Sequence, residues 1–115
     1  MNVKNVLTTM PAIDAWVMAN PLTLHVLLCT NPEEASTGAS MDLLLAVQHK
    51  APGCLIACVN YEKVAELAAR HSLAVAPTFL LFRDKVLYER VEGGNAVVLG
   101  VKVEILGVGR QVVRA

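Results

Sequence analysis

Three thiols, three imidazoles and one pair of adjacent carboxylates are the groups in this 115-residue chain with the means to do chemistry. The thiols are Cys29, Cys54 and Cys58. An odd, sparse set without a C-x-x-C spacing points to reduced cysteines in a reducing compartment. Cys54 and Cys58 share one expected strand, four residues apart, so they face the same side at about 13 Å, too far for a disulfide. Cys29 ends an apolar run just before a helix start, the one place where a thiol could be both exposed and reactive. It is a weak candidate, because no Lys or Arg adjoins it in sequence to favour a thiolate. His25, His49 and His71 do not fall at metal-site spacing with the cysteines and are expected at the surface or at strand edges. No metal or other cofactor is expected. Glu33 and Glu34 read as the acidic first turn of a helix, where the dipole favours negative charge, rather than as an acid–base pair. Thr8-Thr9 and Ser36-Thr37 offer hydroxyls but no base.

These groups must be held by a single core. The chain is 55% hydrophobic and has a formal net charge of +0. That balance excludes disorder and argues against nucleic acid or an anionic membrane as the main partner, both of which need a basic surface. No apolar run has the length of a bilayer span, and residues 1–5 lack a charged-then-apolar leader pattern. An intracellular, cytoplasmic protein is expected, with one domain over residues 1–106 and a tail over 107–115.

The elements follow from punctuation and periodicity. Residues 3–7 form a weak strand. Pro11 to Ala19 is a helix capped by Thr9, with Ile13, Trp16 and Val17 inward. Leu22 to Cys29 is a strand whose run Val26-Leu27-Leu28 has no alternation, the mark of burial on both faces. Asn31-Pro32-Glu33-Glu34 combines a cap, a first-turn proline and dipole-matched acids, and so starts a helix reaching about His49. Pro52-Gly53 is a turn, Leu55 to Val59 a strand, and Tyr61 to His71 a helix with Val64, Leu67 and Ala68 inward. Pro77 precedes a second uninterrupted run, Phe79-Leu80-Leu81-Phe82. Because proline cannot donate to a sheet ladder, Pro77 stands at a strand start or in a special turn, trans or cis. Arg83-Asp84-Lys85 is a polar turn and Val86 to Val91 a returning strand. Asn95 to Leu106 fits a helix with Val97, Val98, Val101 and Ile105 on one stripe, although its valines also suit a strand. Strands alternating with helices, then a hairpin, imply a mixed α/β sheet flanked by helices on both faces.

Residues 59–82 carry a more specific pattern: a helix, a short loop, then Val75-Ala76-Pro77-Thr78 leading into the apolar strand, with Gly93 after the last strand. This resembles the thioredoxin family over residues 3–106. It is also similar to the non-dithiol thioredoxin-like domains that precede monothiol glutaredoxin domains. The resemblance implies a thioredoxin-like fold and a cis bond before Pro77. It also exposes a departure. The family's C-x-x-C would fall within Asn31 to Ser36, where no cysteine occurs. Its buried acid would fall in Val26-Leu27-Leu28, all apolar, and its lysine near Ala57-Cys58. The dithiol reaction is therefore not expected, and the chain leans away from being an enzyme. Three readings remain: a non-catalytic protein-binding adaptor connected to redox homeostasis, a monothiol redox protein using Cys29, and a structural subunit of a larger assembly. For the first, the resemblance places a groove for a protein or extended peptide at Thr30, Asn31, Pro32, Glu33, Glu34, Val75, Ala76, Pro77 and Gly93.

Overall fold

The computed structural model describes residues 6–19, 22–30, 37–51, 53–74, 77–93 and 97–103. In order these form α1 (Met10–Met18), β1 (His25–Thr30), α2 (Thr37–Lys50), β2 (Leu55–Asn60), a 3₁₀ turn (Tyr61–Lys63), α3 (Ala65–His71), β3 (Thr78–Arg83) and β4 (Val86–Glu92). Residues 97–103 are a further helix, α4. The sheet order is β2-β1-β3-β4. β1 and β2 run parallel, with His25 opposite Leu55 and Thr30 opposite Asn60. β3 runs antiparallel to both β1 and β4. Val6 makes a parallel bridge to Cys58, so the chain's first described residues lie outside β2.

The two uninterrupted apolar runs occupy the two central strands, where both faces need cover. Every residue of β1 and of β3 is buried. On one face Leu27, Cys29, Ala57, Val59, Leu80 and Phe82 meet Ile13 and Val17 of α1 and Leu67 of α3. On the other, Val26, Leu28, Phe79 and Leu81 meet Leu44 and Val47 of α2 and Leu99 and Val103 of α4. Each fully buried large side chain contributes roughly 1.5–3 kcal/mol. The mixed sheet with helices on both faces is thus present as the sequence implies.

Local signals explain the element ends. Thr9 caps α1: its Oγ1 accepts from the Ala12 amide at 3.2 Å. Ser72 ends α3 in the left-handed region at φ 52°. Asp84 and Lys85 both have positive φ, 56° and 69°, which gives the tight two-residue turn that matches the strand twist.

Several expectations are corrected. The helix over Tyr61–His71 is two pieces. Asn60 Oδ1 accepts from the Glu62 amide and caps a 3₁₀ turn, and Val64 at φ −127° interrupts before α3. Of the strand expected over residues 3–7, only Val6 and Leu7 are described, and Val6 makes a parallel bridge to Cys58. The strand begins at His25 rather than Leu22, and Cys54 precedes β2 rather than lying in it. Arg83 is a buried residue of β3, not part of the turn. In α4 the stripe that supported the helix faces out: Val97, Val98 and Val101 are exposed, while Leu99 and Val103 are buried. Ile105 lies outside the described residues.

Candidate functional site

Of the residues named for the groove, Thr30, Pro77 and Gly93 are described, and all three lie at one end of the sheet. Thr30 closes β1, and the antiparallel register that sets Cys29 opposite Thr78 brings Thr30 level with Pro77. Thr78 pairs with Glu92, and one residue further the Gly93 amide donates to the Pro77 carbonyl at 2.8 Å. Thr30, Pro77 and Gly93 therefore form a row across adjacent strands. Gly93 has φ 77°, a conformation that glycine adopts without the Cβ penalty. The Thr30 hydroxyl is buried and has no hydrogen-bond partner among the described residues. Asn31, Pro32, Glu33, Glu34, Val75 and Ala76 lie outside the described residues, and so does the Ala76–Pro77 bond.

The thiols stand away from any exposed position in this row. Cys29 neighbours it but has no exposed surface, enclosed between Val59 of β2 and Thr78 of β3. Burial pushes its pKa up to about 12, and the charge of Arg90 offsets this only in part. At neutral pH it is a protonated, packed side chain. Cys54 lies at the opposite end of the sheet, before β2, and burial raises its pKa to about 11. Cys58 is buried within β2 and also raised by desolvation. All three are free. Among the described residues no group of three His, Cys, Asp or Glu side chains could hold a metal ion.

The histidine expectation is corrected at His25. It is buried in a central strand, not at a surface or an edge. Its Nδ1 donates to the Thr23 carbonyl at 2.8 Å, and its ring meets Trp16 edge-on at 4.8 Å between centroids. Sequence reading also missed Arg90. Its guanidinium donates to the His71 and Ser72 carbonyls and to Glu92, tying the C-terminal end of α3 to β4. The carbonyls at a helix C-terminus favour a cation there. No local signal announces either role, since the partners are long-range.

The chain is similar to thioredoxin from Fasciola hepatica at 22% identity and TM-score 0.77, covering 86% of this chain and 95% of that one. Mitochondrial thioredoxin 3 from Saccharomyces cerevisiae aligns at 16% identity and TM-score 0.78, over 87% of this chain and 92% of that one. Thioredoxin from Schistosoma mansoni aligns at 14% identity and TM-score 0.79, over 88% and 95% respectively. No family model and no curated protein sequence matches the chain. The chain has a thioredoxin-like fold. Among the described residues no helix is long and apolar enough to cross a membrane.

Proposed function

We propose that this protein is a non-catalytic binding module on a thioredoxin-like fold, taking up an extended segment of a partner protein at the Pro77 end of the sheet. The observation that carries the reading is the state of the thiols. Residues 31–36 hold no cysteine, and the nearest thiol in sequence, Cys29, is enclosed between strands and protonated. In the family the chain resembles, the residues before this proline offer main-chain groups with which an extended peptide pairs as an added strand, and Val75 and Ala76 hold those positions in the sequence. The link to redox homeostasis and the cytoplasmic location rest on the resemblance to domains that precede monothiol glutaredoxins and on the reduced cysteines.

The alternative, single-thiol exchange at Cys29, requires the end of β1 to open before the sulfur can be attacked. Insulin disulfide reduction with a thioredoxin reductase system separates the two. The binding reading predicts no turnover above background. Clear turnover that disappears in Cys29→Ser and persists in Cys54→Ser establishes the exchange reading instead.

A further inference from the structure

The chain between α3 and β3 is tied to β4 at both of its ends. At the first end Arg90 donates to the His71 carbonyl through one guanidinium nitrogen, and to the Ser72 carbonyl, at 3.4 Å, through another. At the second end the Gly93 amide, just beyond β4, donates to the Pro77 carbonyl at 2.8 Å. The second tie uses a main-chain donor, which any residue but proline supplies. The first is made by a side chain. It meets the chain where the path is least favourable, because Ser72 leaves α3 in the left-handed region at φ 52°. A non-glycine residue holds that conformation at a cost, and does so where its neighbours fix it. The last carbonyls of a helix lack intrahelical donors and carry partial negative charge, so they suit a cation. A guanidinium meets two such acceptors from one rigid plane, a geometry that a lysine ammonium does not reproduce. Arg90 is itself held in place, opposite Leu80 in the sheet and bonded to Glu92 at 3.0 Å.

We propose that Arg90 is a positioning residue for the Pro77 end of the sheet: by holding the His71 and Ser72 carbonyls it fixes where the chain leaves α3, and so presets the residues that lead into Pro77 for an extended partner. The inference rests on the binding reading above and adds to it a residue that touches no partner. A segment that is set before binding loses less freedom when the partner arrives, and the difference appears as affinity. Leu73, the first residue after the tie, packs against the core, and its amide donates to the Ala68 carbonyl at 2.9 Å. That bond reports whether the start of the segment stays in place.

The test uses the full chain and a cysteine-free extended peptide selected against the parent protein, with NMR shifts at Thr30, Thr78 and Gly93 verifying where it binds. Arg90→Met keeps the apolar stem and removes the guanidinium. It is expected to weaken the peptide about tenfold, the scale of one charge-assisted hydrogen bond. Arg90→Lys keeps the charge without the planar fork, and is expected to bind about threefold more weakly than the parent. Arg70→Met removes a guanidinium that bonds Asp14 and Glu66 rather than the end of α3, and is expected to bind as the parent does. Without peptide, the Leu73 amide is expected to exchange its hydrogen several-fold faster in Arg90→Met, with the Leu27 amide of β1 much less affected. A general loss of stability would accelerate both alike. A parent that binds no peptide overturns the binding reading, and this role with it. A parent that binds, beside a folded Arg90→Met that binds equally well, overturns this role alone. Equal weakening by Arg70→Met, or equal acceleration of the Leu73 and Leu27 amides, does the same. Where Arg90→Met does not fold, Arg90→Lys decides, and parental affinity there overturns the role.

Discussion

Cys29 loses the hydration a thiolate needs by lying in a central strand with no exposed surface. Its pKa near 12 leaves almost no thiolate at neutral pH, and alkylation requires the thiolate. Iodoacetamide at about pH 8 is therefore expected to modify Cys29 only after unfolding in urea, with half-buried Cys54 reacting slowly in the native state. Peptide mapping after timed quenching checks this, and native labelling of Cys29 as fast as that of Cys54 contradicts it. His71 is the second titrating residue with a consequence. Burial, then Arg70 and Arg90, hold its pKa below 6.5 in the folded state. The unfolded chain therefore binds that proton more readily. The contribution to stability is full above pH 6.5 and is lost as pH falls from there through the folded value. Urea midpoints measured from about pH 7 to pH 5 should fall less steeply in His71→Gln than in the parent. Parallel curves would show that His71 does not couple to folding.

Element ends were the most legible parts of the sequence where the signal is local. Thr9 before Pro11 does cap α1, and removing its hydroxyl in Thr9→Ala is expected to cost about 1 kcal/mol in chemical denaturation. Gly93 carries the bend after β4. A Cβ there would meet nothing within 4 Å, so the cost of Gly93→Ala comes from its φ of 77° rather than from crowding. That cost is about 1–2 kcal/mol, measurable as a lower urea midpoint; an unchanged midpoint would mean that the bend relaxes freely. Legibility ended where two answers share one pattern. In α4, Val97, Val98 and Val101 make one apolar stripe, and Leu99 and Val103 make another. Periodicity cannot rank two apolar stripes; packing against α2 and the sheet chose the second. The break at Val64 was hidden for a related reason. The apolar spacing of residues 61–71 runs through it, while the Asn60 cap that diverts the first turn is a hydrogen bond two residues long.

At the scale of the whole molecule, the uninterrupted runs at Val26–Leu28 and Phe79–Phe82 identified the two central strands before any topology was known. Two cores on opposite faces of one sheet then follow from them. Leu80 is fully buried in one core, and Leu80→Ala is expected to cost roughly 2–5 kcal/mol. The row Thr30, Pro77 and Gly93 was legible only through resemblance, because nothing in the spacing of those three residues announces that β1 and β3 are neighbours. His25 was not legible at all. A lone polar residue at a strand start reads as exposed, and its cover comes from Trp16 on another element. In the proposed reading this end of the sheet takes up an extended partner, and the fold encloses the one thiol near it. The most direct test is the affinity of a cysteine-free extended peptide, selected against the parent protein, for the variant carrying Cys29→Ser, Cys54→Ser and Cys58→Ser. Binding without thiol chemistry predicts an affinity equal to the parent's, with chemical-shift changes centred on Thr30, Thr78 and Gly93. Loss of binding in the folded cysteine-free variant, or shifts elsewhere on the protein, would contradict it.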